Sequence, residues 1–288
     1  HGQPQRFDAS GGGLRRAGSR KKKIGAPQAS AFRIWRGWDS SGHRASVRAM
    51  ITQDSLKRAA AQRALEFVED GMKLGLGTGS TAEAFLELLA PRVRGGLKLD
   101  CVATSERTAQ LARSLGLPLG ELDALAPLDL VVDGADEADR DLNLIKGGGA
   151  ALLREKIVAA SSRRMIVVAD ESKLVARLGK FPLPIEVAQF GHGATAQRIR
   201  RAASALGYGD APLTLRMSEG APLRTDNGNL VYDYALGAIA DPRALAAALS
   251  NVPGVAGHGL FVGLASALVV AHPGEVEIIR PPPGSPRA

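Results

Sequence analysis

The sequence contains a single cysteine, Cys101, so the chain cannot form an internal disulfide. This scarcity is typical of proteins from a reducing compartment and favours a cytoplasmic location. Cys101 falls within a strand-like apolar stretch, and we interpret it as a small buried residue rather than a nucleophile. No apolar run approaches the roughly 18–20 residues of a membrane-spanning helix. We therefore expect a globular protein that has no membrane partner.

Acidic residues are scarce in residues 1–49, which carry eleven Lys or Arg against two Asp. Residues 50–288 hold 26 basic and 27 acidic residues, so the formal net charge of +8 belongs to the N-terminal segment. The nearly neutral remainder argues against a nucleic-acid partner. We expect residues 1–49, rich in Gly, Ser and Arg, to be a disordered extension without a catalytic role. The alternatives are a transit peptide to an organelle, an anion-binding arm or a misassigned start before Met50.

From Met50 onwards, apolar segments of strand length alternate with helical patterns. The first helix has Thr52 as its N-cap and is expected to end at Gly71. The strand-like segments cover residues 72–76, 97–103, 128–133 and 164–169. This alternation predicts an α/β fold, a Rossmann-like parallel sheet flanked by helices, with ligands bound beyond the carboxyl ends of the strands.

The pattern changes at Gly179, where Pro182 and Pro184 indicate a linker or an edge strand. Short strands and two helical stretches follow, and Asn227-Gly228 between two of the strands indicates a hairpin turn. This part of the sequence predicts a second, smaller α+β domain of ferredoxin-like type. The last apolar strands are expected to return to the first sheet.

The predicted organisation of the chain has four parts. They are an N-terminal extension (1–49), an α/β domain that carries the candidate site (50–178 with 264–280), the small α+β domain (179–263) and a C-terminal tail (281–288).

The segment Gly77-Thr78-Gly79-Ser80-Thr81 lies between a predicted strand and a predicted helix. Backbone N–H groups at a helix N-terminus bind anions, and the hydroxyl groups add donors. The segment lacks the lysine of a P-loop and does not complete a dinucleotide fingerprint. We therefore predict a site for a small phosphate group; the alternative is a tight turn in which Ser80 or Thr81 caps the helix.

The segment Asp133-Gly134-Ala135-Asp136-Glu137 places three carboxylates just beyond a strand. One interpretation is a metal site, but His192 and His258 lack ligand-like spacing, which disfavours zinc. Magnesium bound by carboxylates is an alternative, and an acidic surface turn is another.

Three glycines, Gly147, Gly148 and Gly149, follow Lys146 and let the backbone approach a ligand closely. If the next helix begins near Gly149, Glu155 lies on its second turn. The helical neighbours of Glu155 are all apolar, namely Ala151, Leu152, Val158 and Ala159. Burial there should raise the pKa of this carboxyl towards the value that suits a general base near neutral pH. The alternative is a Glu paired with a basic residue across a domain or subunit contact.

Glu155 is therefore the candidate general base among these segments. Lys173, which follows another strand, could reach a phosphate, although a lone lysine is also typical of a solvated surface.

Together these segments resemble the type A family of ribose-5-phosphate isomerases. The stretches that carry the resemblance, in chain order, are 52–57 (TQDSLK), 75–81 (GLGTGST), 132–137 (VDGADE), 146–156 (KGGGAALLREK), 169–173 (ADESK), 179–186 (GKFPLPIE) and 225–229 (TDNGN). The Lys-Gly-Gly-Gly-Ala-Ala and Asp-Gly-Ala-Asp-Glu pair is highly specific, whereas residues 1–49 match nothing in the family.

The resemblance implies reversible conversion of D-ribose 5-phosphate and D-ribulose 5-phosphate through a cis-enediolate, without a metal or an organic cofactor. It also implies a homodimer or tetramer and a sugar phosphate as the small-molecule partner. Glu155 corresponds to the proton acceptor, with Asp133, Asp136 and Lys146 as further catalytic residues. In the reaction that the resemblance implies, Lys146 would be the partner of the developing oxyanion, and Asp133 and Asp136 would bind sugar hydroxyls. The substrate-binding positions implied are Thr78, Gly79, Ser80, Thr81, Gly134, Ala135, Gly147, Gly148, Gly149, Lys173 and Lys57.

Two other classes of protein share parts of this pattern. A sugar-phosphate-sensing regulator would need a DNA-binding module, and residues 1–49 show no helix-turn-helix pattern. An amino-sugar phosphate deaminase is expected to use a histidine beside its acid–base groups, and none lies near these motifs in the sequence. A CoA transferase of related fold is the remaining alternative.

Overall fold

The computed structural model describes residues 52–281, together with Gly2. The expectations about the N-terminal extension and the C-terminal tail therefore fall, apart from Gly2 and Pro281, outside the described residues. No helix in the described range is long and apolar enough to cross a membrane.

Helices and strands alternate through most of residues 52–281. The helices are α1 (Gln53–Ala64), α2 (Ser80–Arg94), α3 (Glu106–Ser114), α4 (Leu122–Leu125), α5 (Leu152–Ala160), α6 (His192–Ser204) and α7 (Pro242–Ser250), with 3-10 turns at Leu65–Phe67 and Glu171–Lys173. The strands are β1 (Met72–Leu76), β2 (Leu99–Ala103), β3 (Leu130–Gly134), β4 (Glu137–Ala138), β5 (Leu144–Ile145), β6 (Met165–Asp170), β7 (Leu183–Val187), β8 (Leu213–Leu215), β9 (Met217–Ser218), β10 (Ala221–Pro222), β11 (Leu230–Tyr234), β12 (Val255–His258), β13 (Leu260–Phe261), β14 (Ala267–His272) and β15 (Glu275–Ile279).

The larger sheet has six strands in the order β15-β14-β6-β3-β1-β2. All neighbours are parallel except the edge pair β14 and β15. Its inner strands are mostly apolar and mostly buried, as expected of parallel strands covered on both faces. The predicted α/β fold and the return of the last strands to this sheet are confirmed.

The first helix begins as predicted, because Thr52 caps α1 by accepting a hydrogen bond from the Ser55 N–H. Its predicted end at Gly71 is wrong. The helix stops at Ala64 and tightens into a 3-10 turn, since the β-branched Val68 takes an extended conformation. Gly71, with φ of +79°, instead turns the chain into β1.

The smaller sheet has four antiparallel strands in the order β12-β7-β11-β8. In chain order its elements are β7, α6, β8, β11, α7 and β12, which is the ferredoxin-like arrangement that the sequence predicts. Ile199 of α6 and Leu245 of α7 pack against Tyr234 in the core of this part. The turn at Asn227-Gly228 is present, but β10 before it pairs with β9 and not with β11.

The interpretation of Pro184 as part of a linker or an edge strand is wrong. Pro184 lies in β7, an inner strand of the smaller sheet. It sits one residue beyond Ile185, whose pairing with His258 is the last between β7 and β12. Only its carbonyl is needed there, and it accepts a hydrogen bond from the Gly259 N–H at 2.7 Å. The missing N–H of proline therefore costs no ladder bond to β12.

Lys156 of α5 connects the helix after the glycines to the smaller sheet. Its Nζ donates to the carbonyls of His258 and Leu260 at 2.6 and 2.9 Å and lies 5.0 Å from the ring centroid of Phe261. Next to this contact, the Lys146 N–H donates to the Gly259 carbonyl. The segment between β12 and β13 is thus bound from two sides.

Cys101 is fully buried in β2, as its apolar surroundings in the sequence indicate. Burial raises the pKa of its thiol to about 12, and the neighbouring Asp100 adds to the shift.

Candidate active site

A cavity of about 310 Å³ opens at the carboxyl ends of β1 and β3. This is the edge at which an open parallel sheet binds ligands. The residues that line it are Gln53, Lys57, Thr78, Gly79, Ser80, Thr81, Gly134, Ala135, Asp136, Lys146, Gly147, Gly148, Gly149, Glu155 and Lys173. Every predicted site residue is among them except Asp133, which lies fully buried against Lys146.

The loop after β1 is fixed by its contact with Asp133. The Thr78 N–H donates to Asp133 Oδ1 at 3.0 Å. A Cβ on Gly77 would lie 2.3 Å from the same oxygen, so only glycine fits at this position. The Thr78 hydroxyl is bonded to three buried hydroxyls, those of Thr104, Ser105 and Thr108. Thr78 therefore holds the loop in place with both its backbone and its side chain.

The N-terminus of α2 faces the cavity without a side-chain cap. Gly79 is the N-cap residue, with φ of +107°, and neither Ser80 nor Thr81 supplies a capping bond. The alternative of a plain turn capped by one of these residues is wrong. A helix N-terminus with uncapped N–H groups and two hydroxyls beside it has the character of an anion site.

Two further lysines line the cavity. Lys57 comes from α1, where its Nζ lies 3.2 Å from the exposed carboxylate of Asp54. Lys173 comes from the 3-10 turn after β6 and lines the cavity too. Both predicted phosphate partners thus line the same cavity as the N-terminus of α2.

A lysine between two carboxylates forms the floor of the cavity. Lys146 Nζ lies 3.1 Å from Asp133 Oδ2 and 3.1 Å from Glu155 Oε1. It also donates to the Gly134 carbonyl at 2.5 Å. The contact with Asp133 is an ion pair without hydrogen-bond geometry, because Asp133 Oδ2 has no hydrogen-bond partner in residues 52–281. With all three groups ionised, this buried cluster would carry one net negative charge.

Burial and the neighbouring charges together determine the pKa values of the cluster. Burial raises the pKa of Glu155 to about 8; Lys146 opposes the shift and Asp133 adds to it. Burial also raises the pKa of Asp133, although Lys146 and two backbone N–H groups oppose this. For Lys146, burial alone would lower the pKa, but the two carboxylates together hold it above its ordinary value. One lysine cannot neutralise two buried carboxylates, so the carboxylate with fewer donors becomes the better proton acceptor.

Glu155 is that carboxylate. Its Oε1 accepts from Lys146, whereas its buried Oε2 has no hydrogen-bond partner within the described part of the chain. Its helical neighbours are apolar and buried, as predicted. The expected position on the second turn is wrong, because α5 begins at Leu152 and Glu155 is in its first turn. There the helix dipole favours the ionised carboxylate, against the effect of burial.

The remaining carboxylates of the loop after β3 have separate tasks. Asp136 lines the cavity, and its Oδ2 accepts from the Gly148 N–H at 2.7 Å. Glu137 points elsewhere, since its two oxygens accept from the Gly179 and Phe181 N–H groups at 2.7 and 2.6 Å. It anchors the entry to the smaller sheet. The alternative of an exposed acidic turn is therefore wrong. No group of three or more potential metal ligands is found in residues 52–281.

Gln53 lines the cavity although no sequence pattern points to its side chain. Its Nε2 donates to Asp170 Oδ2 at 3.4 Å, at the carboxyl end of β6. Its position directly after the N-cap residue Thr52, in a stretch that carries the family resemblance, is the one signal that could have identified it.

Several known proteins are similar to this chain in sequence. The family model of ribose 5-phosphate isomerase A (phosphoriboisomerase A) matches residues 100–275. The ribose-5-phosphate isomerase A of Brucella suis is 56% identical over 216 residues, which cover 75% of this chain and 93% of that protein. That of Parvibaculum lavamentivorans is 56% identical over 230 residues, covering 80% and 99%.

Several solved structures are also similar to this chain in fold and in sequence. A D-ribose-5-phosphate isomerase in complex with phospho-erythronic acid matches with a TM-score of 0.75 and 37% identity, over 80% of this chain and all of that one. The ribose 5-phosphate isomerase of Plasmodium falciparum matches with a TM-score of 0.75 and 36% identity, over 80% and 99%. The resemblance in the sequence motifs is thereby confirmed, and the chain belongs to the ribose 5-phosphate isomerase A family of aldose–ketose isomerases.

Proposed function

We propose that the chain interconverts D-ribose 5-phosphate and D-ribulose 5-phosphate, as part of the non-oxidative pentose phosphate pathway. The observation that carries the proposal is the buried cluster in which one lysine separates two carboxylates, Asp133 and Glu155, next to an uncapped helix N-terminus. The cluster supplies a base and a cation, and the helix terminus supplies an anchor for phosphate.

The chemical step is a proton transfer between neighbouring carbons. In the open-chain aldose, the Glu155 carboxylate removes the proton from C2, and the electron pair of that bond forms a C1–C2 double bond. The C1 carbonyl oxygen becomes negative, which gives the cis-enediolate. The proton on O2 is then transferred to the negative O1, and Asp136 is the candidate group that carries it. As the C2 carbonyl forms from O2, the electron pair of the double bond takes the proton back from Glu155 at C1. One carboxylate thus serves as base and then as acid.

Lys146 stabilises the negative oxygen in this scheme. Preorganised donors aimed at a developing oxyanion are worth about 3–4 kcal/mol each. Its ammonium is held between Asp133 and Glu155, so no reorganisation is needed when the charge forms. The burial of Asp133 favours an action through Lys146. Asp136 reaches the cavity and is our candidate for binding sugar hydroxyls and for assisting ring opening.

The phosphate group would bind at the N-terminus of α2. The backbone N–H groups and hydroxyls of Ser80 and Thr81 would hold it there, and Lys57 and Lys173 line the same cavity. Binding energy from this remote group would orient the reacting carbons towards Glu155.

An isomerase assay of Glu155→Gln in the presence of EDTA tests the assignment. The amide cannot accept the carbon-bound proton, so we expect kcat to fall at least ~100-fold with KM little changed. The wild type should turn over normally in EDTA, since the proposed reaction needs no metal. A nearly active Glu155→Gln would exclude Glu155 as the base, and loss of wild-type activity in EDTA would exclude a metal-free reaction.

We also propose a homodimer or tetramer in the cytoplasm, with the smaller sheet as a separate domain spanning residues 179–263. Apolar side chains at the surface support association, since Phe190 is 97% exposed and Ile157 and Met217 are about half exposed. The buried, unpaired Cys101 supports a reducing compartment. Light scattering of the purified chain measures the oligomeric state directly.

A further inference from the structure

Arg216 connects the smaller sheet to the glycines of the site, although no sequence pattern points to it. It lies between β8 and β9, and its side chain is 15% exposed. Its Nε and Nη2 donate to the two carboxylate oxygens of Asp233 at 2.8 and 2.5 Å. Its Nη1 donates to the carbonyls of Gly147 and Gly148 at 3.0 and 3.1 Å. The two-pronged contact with Asp233 fixes the plane of the guanidinium, so Nη1 is aimed at the glycines.

When Arg216 binds a carbonyl on one side of the loop, it also orients the N–H of the same peptide on the opposite side. In a planar trans peptide the C=O and N–H bonds point in opposite directions. The Gly147 carbonyl faces Arg216, and the Gly148 N–H of the same peptide faces Asp136, to which it donates at 2.7 Å. The Gly148 carbonyl also faces Arg216. The Gly149 N–H of that peptide must therefore point away from Arg216.

The Gly149 N–H is free to bind a ligand. It has no hydrogen-bond partner in residues 52–281. Gly149 and Lys146 both line the cavity, whereas Arg216 does not. Because glycine has no Cβ, a peptide between two glycines rotates at little cost unless something holds it. Arg216 is the side chain that holds this one.

We propose that Arg216 is a positioning residue that keeps the Gly148–Gly149 peptide oriented so that the Gly149 N–H donates to the oxygen that becomes negative during isomerisation. This inference rests on the proposed function. The guanidinium charge also polarises the peptide through its carbonyl, which makes the N–H a stronger donor. Lys146 and the Gly149 N–H would then stabilise the enediolate together.

Kinetics of Arg216→Gln test this role. The shorter neutral side chain cannot hold Asp233 and both carbonyls, so we expect kcat to fall about 10-fold, less than the loss of a direct oxyanion donor. KM and the inhibition constant of inorganic phosphate should stay within about twofold, because the phosphate end is untouched. Inhibition by phospho-erythronic acid, whose carboxylate presents a negatively charged oxygen as the proposed enediolate does, should weaken about 10-fold.

Two further variants separate positioning from folding. Arg200→Gln is the matched control, since Arg200 also donates to a carbonyl, that of Leu213, but in the smaller sheet away from the cavity. It should leave kcat unchanged. Arg216→Lys keeps the positive charge but lacks the planar guanidinium that binds both oxygens of Asp233, so it should give an intermediate kcat. If Arg216→Gln does not fold, the kcat of Arg216→Lys alone tests the proposal.

The outcomes are distinct. A kcat drop with unchanged KM and phosphate inhibition, and with weakened binding of phospho-erythronic acid, supports the role of Arg216. Wild-type kcat in Arg216→Gln, or in Arg216→Lys where that variant decides, overturns it. So does an equal loss of affinity for inorganic phosphate, which would indicate a general collapse of the site. If the wild type itself does not isomerise D-ribose 5-phosphate, the proposed function fails, whereas an active wild type beside an equally active Arg216→Gln removes only the inference about Arg216.

Discussion

At the scale of single residues, the ionisation of Glu155 determines when the site can accept a proton from carbon. Burial raises its pKa to about 8. Since only the carboxylate acts as base, we expect kcat/KM to fall as the pH drops below about 8, with the slope of one proton, and to level off above it. A pH profile of wild-type kcat/KM measures this directly. A profile that is flat through this range would contradict the assignment.

The same shift has a consequence for stability. The folded pKa of Glu155 lies above the ordinary value of 4.5, so the folded state binds this proton more tightly than the unfolded state. The free energy of unfolding should therefore fall as the pH rises from about 4.5 through about 8. Glu155→Gln removes the loss of stability that ionisation of the buried Glu155 carboxyl causes, and it leaves Lys146 paired with Asp133.

We expect Glu155→Gln to have a higher Tm than the wild type above pH 8 and a similar Tm near pH 4.5, measured by calorimetry at both values. The exposed Glu121 provides the control, because Glu121→Gln should not change the pH dependence of Tm. A Tm of Glu155→Gln below that of the wild type at high pH would argue that the carboxylate is needed to hold Lys146.

The sequence predicts the role of a residue only where that role depends on neighbours within the same segment of the chain. The apolar surroundings of Glu155 follow from its helical neighbours, and these are confirmed. The hydroxyl bonds of Thr78 and the contacts of Glu137 and Arg216 join segments far apart in the chain. No periodicity within one segment carries that information, so these contacts could not be predicted.

At the scale of elements, the loop between β1 and α2 depends on the absence of a side chain at Gly77. A Cβ there would lie 2.3 Å from Asp133 Oδ1 and 2.5 Å from its Cα. We expect Gly77→Ala to displace Asp133 and Lys146 and to lower kcat at least ~10-fold. The overpacking should also destabilise the protein by about 1–3 kcal/mol.

Gly193→Ala is the matched control, because the added Cβ in α6 would have nothing within 4 Å. It should leave kcat unchanged and stabilise the helix by up to about 1 kcal/mol. Urea titrations and steady-state kinetics of both variants provide the measurement. Equal behaviour of the two would show that the tight contact at Gly77 is relieved without cost.

The elements themselves are predicted well in type and less well in extent. Short apolar runs identify β1, β3 and β6, because parallel strands covered on both faces are mostly apolar. The ends are harder, as the early stop of α1 shows. Pro184 misleads because proline in a strand suggests an edge position. Whether the missing N–H leaves a ladder bond unmade depends on where the partner strand β12 stops pairing, and this tertiary information is not contained in the local sequence.

At the scale of the whole molecule, the six-stranded and the four-stranded sheets are joined by a few side chains, among them Lys156. Its bonds to the His258 and Leu260 carbonyls tie α5 to β12 of the smaller sheet and to the neighbouring strand β13. Lys156→Met leaves both carbonyls without this donor, so we expect the free energy of unfolding to fall by about 1–3 kcal/mol. The three tyrosines, Tyr208, Tyr232 and Tyr234, all belong to the smaller part, so their emission reports on it alone.

In urea, tyrosine emission and circular dichroism of the wild type should change together, whereas in Lys156→Met the tyrosine signal should change first. The control is Lys98→Met, at an exposed position without a side-chain bond within the described range. Coincident curves for Lys156→Met would mean that other contacts suffice to couple the sheets.

The order of elements along the chain determines much of this architecture. Strand–helix alternation predicts the larger sheet, and the change of rhythm after Gly179 predicts the smaller one. The contacts between them could not be predicted, since they depend on single side chains such as Lys156 and Arg216 that look like ordinary surface residues in the sequence.

The burial of Cys101 makes the chain suitable for site-specific labelling. Maleimide dyes react with thiolates, and a buried thiol with a pKa of about 12 offers almost none at neutral pH. Because the chain has no other cysteine, one introduced at the fully exposed Phe190 would be the sole reactive position. A dye placed there could follow, molecule by molecule, whether two copies of the chain meet through that surface.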